Sequence, residues 1–265
     1  MLPVIYRDKH LIAIHKPSGL LVHRSMLDRH ETRFAVQMLR DQIGQHVFPV
    51  HRLDKGTSGV LLFALDRDTG ASLGTAFEAH AIGKRYVAIV RGHPPEFGVV
   101  DHPLTRLRDE SGTLPSEDSG PPRMALTAYR RLSRAELPHR VDRYPTSRYS
   151  LLLLDPKTGR RHQLRRHLKH ISHPIIGDST YGKGRHNRLF AALFGFDRLW
   201  LACTELRLVH PISGRRLTIA SPPSADFLSV IDRLGWHWPC AADLPAQHDS
   251  MQNSESKPIP TKCPQ

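Results

Sequence analysis

His51-Arg52-Leu53-Asp54-Lys55-Gly56-Thr57-Ser58-Gly59 runs directly into Val60-Leu61-Leu62-Phe63-Ala64-Leu65. The second half is an unbroken apolar run of strand length and reads as a buried strand. The first half is a polar loop holding one carboxylate, Asp54, between basic residues and a Thr-Ser-Gly turn. Loops docked on rigid elements are where catalytic groups concentrate. An aspartate ahead of a glycine-containing turn is, taken alone, an Asx turn or a cap, so the surrounding chain has to decide what Asp54 does.

Working outward, Val4–Tyr6 and Leu11–His15 are short apolar runs across an Arg7-Asp8-Lys9-His10 turn, which predicts an opening hairpin. Lys16-Pro17-Ser18-Gly19 breaks the pattern and Leu20–His23 resumes it. Thr32 to Gly44 predicts a helix, with Phe34, Met38, Leu39 and Ile43 in one stripe, Thr32 as cap and Gly44 as stop. Asp68 to Gly83 predicts a second helix on Leu73, Phe77 and Ala81, ended by Gly83. Lys84–Val90, Leu126–Leu132 and Tyr149–Leu154 read as further strands. The Ser, Gly, Pro and acidic stretch from 109 to 124 reads as a flexible loop, and the polar tail from 241 to 265 as disordered. Strands outnumber helices and fall partly in adjacent pairs, so the expected fold class is α+β around a mixed, mainly antiparallel sheet with flanking helices. Residues 1–240 are expected to form one domain.

Composition narrows the partners. The chain has 265 residues, 39% of them hydrophobic, and a formal net charge of +13 at pH 7. That charge points to nucleic acid or an anionic membrane surface. The longest apolar runs are strand-length and far short of a bilayer span, and no secretory signal precedes Arg7, Asp8 and Lys9. Cys203, Cys240 and Cys263 are odd in number and widely spaced, which supports neither a disulfide frame nor a zinc ribbon and makes a reduced cytoplasm the default.

The second dense segment is Thr158-Gly159-Arg160-Arg161-His162-Gln163-Leu164-Arg165-Arg166-His167-Leu168-Lys169-His170. Leu164, Leu168 and Ile171 give a helix with one buried stripe. The other faces are crowded with like charges that repel one another. A solvated basic face is the ordinary reading of such a run; in a chain this basic, a polyanion backbone that offsets the repulsion is favoured. His162, His167 and His170 lack the spacing and the carboxylate or thiolate partners of a metal site. Asp54 in a loop, Arg52 beside it, a separate arginine-dense helix, and Tyr86 bracketed by Lys84 and Arg85 together make a kit for handling a nucleobase.

Four segments in order carry a resemblance: Lys16-Pro17-Ser18-Gly19-Leu20-Leu21-Val22-His23, the His51–Gly59 loop, Lys84–Gly92, and Thr158–Gly182 with its His173-Pro174-Ile175-Ile176-Gly177-Asp178. Together they span about Val4 to Pro222, and they resemble the motifs of the RluA-type pseudouridine synthases. Further likeness at His23-Arg24-Ser25, Leu27-Asp28-Arg29, Gln42–Phe48 and Tyr144–Tyr149 is to the branch acting on uridine 65 of tRNA. Arg161 and Arg166 depart from a common family form with Thr and Val, and that branch shares the basic character. Many relatives carry an N-terminal S4-like domain, which is not expected here.

The resemblance implies the pseudouridine synthase fold with a catalytic cleft, a tRNA substrate, no obligatory protein partner, and isomerisation of uridine without redox cofactor, nucleotide or metal. It implies Asp54 as nucleophile at C1′ or base at C2′, Arg165 as its pairing arginine, and Tyr86 stacked on the target base with its hydroxyl available at C5. Arg52 would fill the vacated place in the stem, and His51, Arg160, Arg161, His162, Arg166, Lys169 and His170 would contact RNA. A ribosomal-RNA synthase and a non-catalytic RNA-binding protein are the rival readings.

Overall fold

The computed structural model describes residues 1–24, 31–107 and 121–239. The expected tail from 241 to 265, most of the 109–124 loop and the Leu27-Asp28-Arg29 motif lie outside the described residues.

The opening hairpin forms as its two apolar runs and polar turn predict. β1 (Val4–Arg7) pairs antiparallel with β2 (Leu11–Lys16). Asp8 closes the turn by accepting the backbone N–H groups of His10 and Leu11, both at 2.7 Å. Leu20–His23 does not form a strand; Leu21 makes a single bridge to Phe34. The next helix, α1, covers Ala35–Ile43 and ends as predicted on Gly44 in the left-handed conformation. Its start is two residues later than Thr32 as cap implies. Phe34 holds the N-cap position with no side-chain hydrogen bond, because the bridge to Leu21 keeps residue 34 extended.

A two-residue β3 (Phe48–Pro49) precedes the Asp54 loop, and β4 (Ser58–Ala64) follows it with all seven residues buried. α2 (Arg67–Glu78) is capped by Asp66, which accepts from Thr69 N–H. The predicted stop at Gly83 is a correction. His80 takes the left-handed position at φ 59°, and Ala81 N–H returns to Ala76 O at 2.9 Å. That is a Schellman ending with histidine in the usual place of glycine, so Gly83 is free to open β5 (Gly83–Arg91).

β6 (Phe97–Asp101), β7 (Leu126–Leu137) and β8 (Ser147–Pro156) build outward from β5, and α3 (Gln163–His170) follows. Beyond it come α4 (Gly184–Phe194), β9 (Leu201–Val209), β10 (Arg216–Ala220) and α5 (Ala225–Arg233). The sheet order is β1-β2-β4-β9-β5-β8-β7-β6, with β10 also on β9 and β3 on β4. Among the described residues β4 and β9 run parallel and the other strand pairs antiparallel. Side chains alternate across each strand, so the sheet buries both faces. Tyr86, Ala88, Leu152 and Leu154 face α1, α2 and α3, while Val87, Ile89, Tyr149 and Leu151 pack with Phe190 of α4 and Phe227 of α5. Trp236 and Trp238 join this second core as local packing.

β9 is what positions the site. Its parallel contact with β4 is confined to Ser58 against Ala202 and Gly59 against Cys203. A Cβ at Gly59, which has φ +104°, would lie 2.0 Å from the Cys203 carbonyl oxygen. Only glycine lets the strand leaving the Asp54 loop approach β9 so closely, and that approach sets Asp54 beside Tyr86 on β5.

Candidate active site

Three separate elements hold the Asp54 loop. Lys16, fully buried at the end of β2, donates from Nζ to the carbonyls of Pro17 (3.0 Å), Leu20 (2.6 Å) and Lys55 (3.1 Å). Ser18 Oγ donates to Gly56 O at 2.7 Å, and Gly19 N–H to Lys55 O at 2.9 Å. The Lys-Pro-Ser-Gly break is therefore a clasp around the Asp54 loop. Burial pushes Lys16 down to about 7, with Asp54 nearby opposing the shift; the three carbonyl acceptors favour its ammonium form. Lys16→Met withdraws the donor from three inward-facing carbonyls and is expected to cost more than about 2 kcal/mol. Thermal unfolding checks this, and an unchanged melting temperature would contradict the clasp.

His51 is the third support, and it also lines the smaller of the two cavities that meet at Asp54. Its Nε2 accepts the Leu62 N–H at 3.0 Å, and its ring stacks on Phe77 with centroids 4.8 Å apart. Burial, with Lys84 adding to it, pushes its pKa down to about 3, so the ring is neutral. It staples the loop to β4 and does not carry a charge toward phosphate.

Opposite the loop, Gln163 fixes where α3 begins. Its Oε1 accepts Arg160 N–H at 2.9 Å, and its Nε2 donates to Leu126 O and Thr127 Oγ1, both at 3.0 Å. One residue ahead, His162 is left-handed at φ 54°. This start turns Arg165, two residues into the helix, onto Asp54. Arg165 Nη1 donates to Asp54 Oδ2 at 3.2 Å. The rest of its fork is taken by Asp178, with Nε to Oδ2 at 2.7 Å and Nη2 to Oδ1 at 2.9 Å. The Asp178 side chain has no exposed surface. Burial alone would raise its pKa, but Arg165 and the N–H groups of Tyr181 and Thr180 hold it below the ordinary carboxylate value. Arg165 is also opposed by burial, yet its two carboxylates push it upward and keep it charged.

Two adjoining cavities, about 730 and 670 Å³, meet at Asp54, with Arg52, Arg161, His162 and Arg165 lining both. The smaller also receives Tyr86, Lys84, Leu164 and Leu201. Tyr86 is 9% exposed and sits opposite Cys203 in the β5–β9 register. Burial first, then Cys203 and Asp54, hold its phenol well above the ordinary value. Burial likewise pushes the Cys203 thiol up to about 12, which makes it unreactive packing beside the tyrosine.

The three residues expected to carry the chemistry, Asp54, Tyr86 and Arg165, thus come together from a loop, a strand and a helix. The expected RNA contacts divide. Arg52 is exposed where the two cavities meet, Arg161 and His162 line both cavities, and Arg160 lines the smaller one while donating to Met124 O at 3.1 Å. Arg166 is tied to Thr105, donating to its carbonyl at 2.9 Å and its hydroxyl at 3.0 Å. Lys169 and His170 lie exposed further along α3; Lys169 sits over the Tyr181 ring and His170 stacks on His102 at 3.8 Å. His167 is buried between Thr127 Oγ1 and His102 O. Sequence reasoning assigned nothing to Asp178, Tyr181, Lys16 or Gln163. Their signal was present in the quoted motifs, but no periodicity ties them to Asp54.

The family model described as RNA pseudouridylate synthase matches residues 10–170. A tRNA pseudouridine synthase C of Pectobacterium carotovorum subsp. carotovorum is 50% identical over 236 residues, which is 89% of this chain and 63% of that protein's length. The protein of the same name from Vibrio cholerae serotype O1 is 47% identical over 236 residues, 89% of this chain and 97% of that one. Among solved structures, human RNA pseudouridylate synthase domain containing 4 superposes with a TM-score of 0.66 at 26% identity, over 90% of this chain and 95% of that one. Among the described residues no helix is long and apolar enough to cross a membrane.

Proposed function

The chain belongs to the RNA pseudouridylate synthase family, and from that premise we propose that it isomerises uridine 65 of tRNA to pseudouridine in the cytoplasm, with Asp54 as the reacting carboxylate. The observation that carries this reading is the Arg165 fork. One guanidinium anchored through Nε and Nη2 on buried Asp178 presents its remaining nitrogen, Nη1, to Asp54 at the junction of two cavities, one of them lined by Tyr86.

The reaction breaks the C1′–N1 bond, turns the uracil and makes a C1′–C5 bond. Atoms and oxidation state balance within the nucleotide, so the reaction consumes no oxidant, reductant or co-substrate. The uridine is first extruded from its stem at a cost of a few kcal/mol, and Arg52, exposed at the rim, fills the vacated place. The uracil enters the smaller cavity against Tyr86. Asp54 Oδ2 is held by Arg165, which leaves Oδ1 to act on the ribose at C1′ or C2′. Arg160 and Arg161 meet the flanking phosphates, a contact that weakens with salt.

Mapping pseudouridine at nucleotide resolution in tRNA and ribosomal RNA treated with the protein tests this reading. Modification at tRNA position 65 supports it. Modification confined to ribosomal RNA, or salt-dependent tRNA binding with no isomerisation, overturns it. The tyrosine gives a second check. Base–aromatic stacking contributes about 1–3 kcal/mol, so Tyr86→Ala is expected to lower kcat/KM by up to roughly a hundredfold. Tyr86→Phe keeps the face and should stay within about tenfold of the parent. Equal damage in both variants would show that the hydroxyl, and not the ring face, is what matters.

A further inference from the structure

His162 is a histidine in a backbone region that non-glycine residues seldom occupy, with φ of 54°. Such positions cost on the order of 1–3 kcal/mol and persist where surrounding structure enforces them, often at functional sites. The conformation places the ring between two groups. Nε2 lies 3.8 Å from Asp54 Oδ1, and Nδ1 is 3.1 Å from the Tyr181 hydroxyl. Arg165 occupies the other carboxylate oxygen, Oδ2. His162 therefore faces the Asp54 oxygen left to act, with a half-exposed phenol on its far side. Burial holds its pKa below the ordinary value, with Asp54 opposing, so the ring is neutral and has a nitrogen to accept a proton.

Isomerisation leaves one proton to export. When C5 of the detached uracil bonds to C1′, the electron pair comes from the C5–C6 π bond and a C6–N1 π bond forms. C5 then carries both the sugar and its original hydrogen. To restore the ring, the C5–H bond breaks, its pair re-forms the C5–C6 π bond, and the C6–N1 π pair moves to N1, which takes a proton from water. Tyr86 is poorly suited to receive the C5 proton, because its phenol is buried against the Cys203 thiol.

We propose that His162 and Tyr181 carry this proton out of the site. Asp54 Oδ1 takes it from C5 and passes it to His162 Nε2. The Nδ1 proton of His162 moves to the Tyr181 oxygen, and the Tyr181 hydroxyl proton leaves to water. The carboxylate and the phenol are regenerated, and the imidazole is neutral again as its Nε2–H tautomer, which returns to the Nδ1–H form by proton exchange with water once product leaves; N1 has gained what C5 lost. His162 acts through Asp54 and is a positioning and relay residue. The 3.8 Å separation is of the kind that tightens when substrate binds.

The inference rests on Asp54 being the reacting carboxylate, and the test separates the two. In His162→Gln, pseudouridine formation at saturating tRNA is expected to fall about ten- to a hundredfold. A primary isotope effect with 5-deuterouridine tRNA should appear or grow, since C5–H cleavage now limits the rate. tRNA carrying 5-fluorouridine has no C5 proton to lose, so its conversion to the C-linked product should proceed at the parental rate. Tyr181→Phe should show the same pattern more weakly. Equal slowing on the fluorinated tRNA, or no change in the isotope effect, would mean that His162 only supports the loop, and the relay is overturned. Turnover by Asp54→Asn in the same assays would instead sink the underlying site assignment.

Discussion

Replacing Asp54 by asparagine is expected to abolish pseudouridine formation, by on the order of 10⁴-fold or more, while tRNA binding and melting temperature stay close to the parent. The loss corresponds to about 5.5 kcal/mol of transition-state stabilisation. Binding and fold are spared for a structural reason. Arg165 is anchored by two hydrogen bonds to Asp178 and reaches Asp54 with a single one at 3.2 Å. Removing the Asp54 charge leaves that anchor intact and strands no buried cation. The loop is likewise held by Lys16, Ser18 and His51, none of which bonds to the Asp54 carboxylate. Single-turnover conversion of tRNA measures the loss, and pseudouridine formed by the variant at a measurable rate would remove Asp54 from the chemistry. The parent enzyme separates the two roles left open: deuterium at C2′ gives a primary isotope effect if Asp54 is a base there and none if it attacks C1′.

Elements whose stability is local were legible in the sequence. The β1–β2 hairpin, β4, β5, β7 and β8 announce themselves by alternation or by apolar runs, and Gly44 ends α1 as a helix-stop glycine should. Boundaries set by tertiary contact were not. Leu20–His23 has the apolar content of a strand but meets one partner residue, and α2 ends on His80 because a histidine takes the left-handed position. The insertion of β9 between β4 and β5 is invisible locally, since it depends on Gly59 admitting the Cys203 carbonyl. Beyond the arginine-rich helix the sequence carried no expectation for α4, β9, β10 or α5.

The site shows the same division. Asp54, Tyr86 and Arg165 were legible because each stands in a dense motif. Charge density then grouped His51, Arg160, Arg161, His162, Arg166, Lys169 and His170 with Arg52 as RNA contacts. It could not tell His51, whose ring accepts a backbone N–H, or Arg166, tied to Thr105, from Arg52 at the rim. Nor could it find Asp178, whose importance lies in being wholly buried beneath Arg165.

That buried carboxylate makes Arg165→Ala the most informative single substitution for stability. Activity is expected to fall on the order of 10²- to 10³-fold, because Asp54 loses the partner that orients it. The same change leaves Asp178 as a buried charge without its guanidinium, which costs about 3–5 kcal/mol and lowers the melting temperature by roughly 10 °C. The pH dependence identifies the cause. In the parent, Asp178 is held below its ordinary value, so the native state gives up its proton more readily than the unfolded state does. Its stabilising contribution is complete above the ordinary carboxylate pKa and is lost as pH falls through the depressed native value. Without Arg165, burial is the dominant influence and raises the native pKa above the unfolded one. Protonation then relieves the buried charge, and the variant gains relative stability as pH falls. The gap in melting temperature between parent and variant should narrow from pH 7 toward pH 4, and Asp178→Asn in the Arg165→Ala background should recover stability without activity. A gap that is constant with pH, or a double variant no more stable than Arg165→Ala, would show that Asp178 does not depend on Arg165 for its burial.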